Sequence, residues 1–146
     1  MNIFLDTSSL FKLYHQEAGT EDLEDVFLKF KITRIYLSEI SKVEFCSTVW
    51  KKVRLKEINI QQAKMTLELF ESDFKKYNFE TTNSLIIEQA RNLTTKYGIE
   101  GLRTLDSIQL STCIYLAKQA DVFFTADMLL KKLMEKEGLK TEVLNQ

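Results

Sequence analysis

The chain has 146 residues, with 20 basic and 21 acidic side chains and a formal net charge of −1. That length suits one domain spanning residues 1–146 and is short for two, and a 45% hydrophobic composition supports a core without staples. Near-neutral charge excludes a protein that coats nucleic acid along a uniformly basic surface, but not an enzyme that grips a few phosphates locally.

Asn2 to Leu5 is short and apolar and predicts a buried strand. The opening Met1–Asp6 stretch has no basic start and meets a carboxylate at once, unlike a secretory signal. Asp6-Thr7-Ser8-Ser9 offers N-cap chemistry for a short helix carrying Leu10, Leu13 and Tyr14. Glu21 to Phe30 predicts a second helix, Arg34 to Leu37 a strand, and Ser38 to about Val53 a long helix. Asn59 to Lys76 predicts another helix, with Ala63, Leu67 and Phe70 on one side. Asn78 to Thr81 is a short strand, and Thr82 or Asn83 caps a helix to Tyr97. After a Gly98–Gly101 loop, Thr104 caps an apolar helix through Leu116. Asp121 to Phe124 predicts a strand, Met128 to Lys136 a helix, and Thr141 to Leu144 a closing strand.

Strands alternating with helices predict a three-layer α/β/α fold around a central, mostly parallel sheet. In such sheets chemistry collects at the carboxyl ends of the strands. No apolar stretch approaches the roughly 20 residues of a membrane span, so the expected location is the cytoplasm. Cys46 and Cys113 fit no zinc spacing and are expected to be buried thiols.

Two carboxylates follow strands: Asp6 directly, and Asp127 after Val122-Phe123-Phe124 and two more residues. Either alone reads as a helix cap or turn residue; two on one sheet edge suggest a site. Asp106 heads a helical stripe with Leu110, Cys113 and Ala117, so it should face the sheet and gain from the first-turn N–H groups. Glu44 borders the apolar face of its helix, and spacing does not separate it from Glu39. Gathered carboxylates repel unless some take up protons or a cation binds. Oxygen ligands favour magnesium or manganese over zinc, and such an ion suits phosphodiester hydrolysis. His15 is the one histidine, and no Gly-rich phosphate cradle or nucleophile elbow is present.

Basic residues lie near these acids. Lys42, Lys51, Lys52, Arg54 and Lys56 form a segment beside Glu44 that either holds RNA phosphates or is a solvated helix face. Arg103 and Lys12 either neutralise a phosphate or pair with a site carboxylate. The helices from Glu21 and Ser38 offer a possible groove for an amphipathic partner helix.

These segments resemble the PIN-domain nucleases, specifically toxins of the VapC type. Phe4-Leu5-Asp6-Thr7-Ser8-Ser9-Leu10-Phe11-Lys12-Leu13-Tyr14 looks like the first motif of that family. Ser38-Glu39-Ile40 with Val43-Glu44-Phe45 looks like the second, Gly101 to Leu110 around Asp106 like the third, and Phe124-Thr125-Ala126-Asp127 like the fourth. The resemblance implies an acidic centre of Asp6, Glu44, Asp106 and Asp127, and it selects Glu44 over Glu39. It also implies that Asp6 and Asp106 are the surest magnesium ligands, supported by Ser8 and Thr125. Through it the chain is expected to be a magnesium-dependent endoribonuclease, a homodimer, and the partner of a small antitoxin that enters the active-site groove. Two departures bear on substrate and assembly: Gln109 stands where relatives often carry His, and almost no tail follows the final predicted strand. The alternatives are a PIN-like module that binds RNA or protein without catalysis, and a phosphatase on a similar sheet.

Overall fold

The computed structural model describes residues 1–143. Four strands, β1 (Asn2–Leu5), β2 (Arg34–Ser38), β3 (Asn78–Glu80) and β4 (Val122–Phe124), form one sheet in the order β3-β2-β1-β4. Every pairing is parallel, with Ile3 opposite both Ile35 and Val122. The chain thus steps outward from β1 to β3 and then returns to place β4 on the other side of β1. The carboxyl ends of β1 and β4 flank the point where the winding reverses, which is where such sheets open a crevice.

Among the described residues, seven α-helices cover the sheet: α1 (Thr7–Phe11), α2 (Thr20–Lys29), α3 (Ser41–Arg54), α4 (Ile60–Ser72), α5 (Ser84–Tyr97), α6 (Thr104–Tyr115) and α7 (Met128–Lys136). Alternating side chains of β1 divide between two cores. Ile3 and Leu5 join Leu10, Phe11, Leu23, Phe45, Val49 and Phe70 from α1 to α4. Phe4, with Phe123, joins Leu93, Leu110, Cys113, Leu130 and Met134 from α5 to α7. The first core is aromatic: the Phe45 and Phe70 rings lie 4.1 Å apart, and Tyr14 meets both edge-on. Trp50 and Tyr14 pack against this core. The second core is mainly aliphatic. A sheet covered on both faces accounts for strands without polar alternation.

Helix starts follow the capping chemistry of the sequence. Asp6, Asn59, Asn83 and Asp127 each accept from the backbone N–H three residues on, and Asn59 forms a full capping box with Gln62.

Several expected boundaries differ. Ser38 ends β2, paired with Glu80, and does not begin a helix; α3 starts at Ser41. Pairing to β3 favours the extended backbone there, and Ser38 Oγ accepts from Ile40 N at 3.3 Å in the turn that follows. The helix expected to reach Lys76 ends at Ser72, and a 3-10 turn (Phe74–Lys76) follows. Asn83, rather than Thr82, caps α5, while Thr104 is the first residue of α6 and Arg103 occupies its cap position. Asp121 precedes β4, where its carboxylate accepts from Asn2 N. The expected strand over 141–144 is not formed at 141–143, and Leu144 lies outside the described residues. Lys140 O still accepts from Phe123 N at 2.8 Å beside β4. Cys113 is buried as expected but Cys46 is exposed, because it sits on the outer face of α3. Among the described residues, no helix is long and apolar enough to cross a membrane.

Candidate active site

Asp6 stands where β1 turns into α1. It is buried, and its Oδ1 accepts from Ser9 N at 2.9 Å and from Ser8 Oγ at 2.7 Å. Its Oδ2 accepts from Thr125 Oγ1 at 2.5 Å. Burial is the largest influence on this carboxyl and pushes it up to about 6, against the pull of these hydrogen bonds. At about 1.4 kcal/mol per pH unit, the charged form costs on the order of 3 kcal/mol in the chain alone.

Ser8 and Thr125 do more than support Asp6. Ser8 Oγ accepts from Ala126 N at 2.9 Å, and Thr125 Oγ1 accepts from Asp127 N at 3.0 Å. The two hydroxyls therefore tie the β1–α1 junction to the β4–α7 junction. Asp127 uses Oδ1 to cap α7, accepting from Leu130 N at 2.7 Å.

Glu44 reaches the same crevice from the first turn of α3. Its Oε1 accepts from Thr7 Oγ1 at 2.9 Å and from Gln109 Nε2 at 2.8 Å. Thr7 and Ser41 hydroxyls lie 2.9 Å apart, and both are within reach of the same Gln109 nitrogen. Asp106, half-buried in the first turn of α6, has its carboxyl raised by burial first and then by the charges of Asp127 and Glu44. Arg103 opposes this shift from 3.9 Å.

All four expected acids line one cleft of about 390 Å³, together with Ser8, Thr48, Lys51, Lys52 and Gln109 among others. Among the described residues, no three Asp, Glu, His or Cys side chains are grouped tightly enough to hold a metal ion. The acids surround a shared space and do not form a closed cage. Their oxygen-only chemistry suits a hard ion that keeps several waters and takes one or two carboxylates, as magnesium does. Zinc, which prefers four close nitrogen or sulfur ligands, does not fit.

The basic residues divide. Lys51 lines the cleft, whereas Arg54 does not and is exposed at the end of α3. Lys12 also borders the cleft, but its ammonium is held by Glu17 at 3.1 Å and by Ala18 O at 2.6 Å. It braces the turn before α2 by pairing with Glu17, which lines the same cleft. Arg103 is 84% exposed and outside the lining. Thr7 and Ser41 are site residues that sequence reasoning missed, and Gln109 was noted only as a departure. The available signal was spacing: Ser41 lies one turn before Glu44, and Gln109 one turn after Asp106.

A second groove of about 790 Å³ adjoins the acidic cleft through Lys12 and Ala126. Leu23, Val26, Phe30 and Phe124 are among its lining residues, so it runs between α2 and the β4 side. α3 does not line it, contrary to the groove expected from the sequence.

The fold has close counterparts. VapC20 of Mycobacterium tuberculosis, described as a sarcin-ricin loop cleaving toxin, has a TM-score of 0.68 at 14% identity, over 90% of this chain and 94% of that one. The Rickettsia felis VapBC2 structure, bound to a promoter DNA fragment, gives 0.63 at 19% identity, over 99% of this chain and 100% of that one. The DNA-bound VapBC of Salmonella typhimurium gives 0.64 at 13% identity, over 97% of each chain. No curated protein matches the chain significantly. The family model of the PIN domain matches residues 3–136, and with its parallel sheet between two helical layers the chain belongs to the PIN domain family.

Proposed function

We propose that this chain is a magnesium-dependent endoribonuclease and the toxin of a toxin–antitoxin pair, with manganese able to replace magnesium. The observation that carries the reading is the meeting of Asp6, Glu44, Asp106 and Asp127, from four separate elements, in one cleft at the reversal point of the sheet. The RNA substrate is supported by the sarcin-ricin loop activity in the name of the VapC20 neighbour.

In this reading Asp6 and Asp106 hold the ion most directly, and Glu44 and Asp127 complete the acidic lining. Bound there, a magnesium ion would supply charge neutralisation at phosphorus and an activated water. The protein's own contribution is positional. Ser8, Ser9 and Thr125 fix both oxygens of Asp6. Thr7 and Gln109 both hold Oε1 of Glu44, a residue that lines the cleft. Lys51, on the α3 face that carries Glu44 and Thr48, is placed to meet a neighbouring RNA phosphate.

The neighbours solved as VapBC assemblies support a small antitoxin partner. The apolar-floored groove beside the acids offers that partner a route into the site. Pairing with a second copy of this chain rests on the family resemblance.

Purified chain should cut RNA with magnesium, stop with chelator and lose at least about 100-fold in rate as Asp106→Asn, beyond the usual loss from a supporting residue. Full-rate cleavage by a folded Asp106→Asn variant overturns the assignment. The rival reading is a PIN-like binding module without catalysis. Calorimetric titration separates the two, since such a module would give no carboxylate-dependent heat with magnesium.

A further inference from the structure

Gln109 is 2% exposed, and a carboxamide is seldom sealed so deeply unless its bonds are made. Half of this one is satisfied. Nε2 donates to Glu44 Oε1 at 2.8 Å, with Ser41 Oγ at 3.1 Å and Thr7 Oγ1 at 3.2 Å as further acceptors. Oε1 is buried with no hydrogen-bond partner among the described residues. The amide's orientation follows from its charged neighbour: an ionised carboxylate only accepts, so the nitrogen must face Glu44.

An orphaned buried carbonyl is a cost to the fold, and a leucine of similar size would remove it. Thr7 and Ser41 would still have each other, and Glu44 would keep Thr7. The amide's one charged contact is a site carboxylate. Its place on α6 gives that contact a use. Gln109 lies three residues after Asp106, so one helix carries both a carboxylate and the clamp on another. Through Glu44 the clamp joins α6 to α3.

We propose that Gln109 is a positioning residue for the reaction: its side-chain N–H fixes Glu44 relative to Asp106. This role rests on the ribonuclease reading above. The neutral amide holds the carboxylate without adding a charge or a titrating group to the cleft.

The test is a series at this position in the full chain. Gln109→Leu keeps the size but loses the donor, whereas Gln109→His restores an N–H at similar reach. Manganese affinity is read without RNA by electron paramagnetic resonance of the free ion, alongside kcat, KM for RNA and the melting temperature. Gln109→Leu should lower manganese affinity and kcat by about 10–100-fold, the range for residues behind metal ligands. KM should stay within about twofold, Gln109→Leu should melt no lower than wild type, and His should recover most of the loss. Wild-type affinity and kcat in Gln109→Leu, a loss that follows a fall in melting temperature, or a His variant as impaired as Leu each overturns the role. A wild-type chain that neither binds manganese nor cuts RNA overturns the ribonuclease reading itself. A wild-type chain that does both beside a fully active Gln109→Leu overturns this role alone.

Discussion

The β1–α1 and β4–α7 junctions are built on one plan and carry their acids under different conditions. In each, an aspartate after a strand caps the following helix by accepting from the N–H three residues on. Asp6 is buried, has two hydroxyls on its carboxylate and is held up to about 6. Asp127 is half-buried, and its second oxygen is left out of the cap. A shared local motif thus sets backbone geometry, while depth decides what the charge costs. The buried Asp6 thus carries its charge at a cost that its hydrogen bonds offset only in part.

Asp6→Asn should produce the largest contrast between function and stability. RNA cleavage should fall at least about 100-fold, while the metal-free chain should melt higher by roughly 5–10 °C, because a buried charge costing on the order of 3 kcal/mol is gone. The pH dependence follows from a raised folded-state carboxyl. Its stabilising proton is fully held below the unfolded value of 3.8 and is lost as pH rises through about 6. Wild type without metal should therefore lose stability across that window, and Asp6→Asn should flatten the loss. A variant that melts lower than wild type at pH 7 would show that the hydrogen bonds outweigh burial.

Thr125→Val breaks the bridge between the junctions. It removes a donor to Asp6 and an acceptor for Asp127 N, so it should cost about 1–3 kcal/mol in denaturant unfolding and about 10–100-fold in kcat. Loss at only one of these readouts would mean that the two junctions are not coupled through this hydroxyl.

Asp127 allows the finest separation. Asparagine caps as well as aspartate, so Asp127→Asn should leave stability within about 0.5 kcal/mol of wild type, while Asp127→Ala should lose about 1 kcal/mol. Both should reduce cleavage by a similar factor of about 10, less than Asp6→Asn. Wild-type cleavage by Asp127→Asn would confine Asp127 to its capping role.

Capping and apolar runs made most of the fold legible. Asp6 and the Thr82-Asn83 pair announce helices through local chemistry, and Val122 to Phe124 announces a covered strand. The failures lie where distant partners decide. Ser38 is extended because it pairs with Glu80. Positions 141–143 form no strand, although Lys140 just before them accepts from Phe123 N in β4. The site divides in the same way. Asp106 declared itself by heading an apolar stripe, whereas Glu44 needed the family resemblance to separate it from Glu39. For Lys12 the sequence leaves a phosphate or a carboxylate open, and the turn before α2 brings Glu17 to its ammonium. The Thr7–Ser41–Gln109 network joins three elements, and no spacing within one of them reveals it.

The return of β4 to the side of β1 also sets the order in which the molecule becomes whole during synthesis. Strands β1, β2 and β3 follow one another outward and can pair as they emerge, but β1 keeps a bare flank until residue 122 arrives. A nascent chain short of that point holds Asp6 with neither Thr125 nor Asp127 beside it. Among the described residues, β4 is therefore the strand that completes the sheet, and the turn after it brings Thr125 to the Asp6 carboxylate.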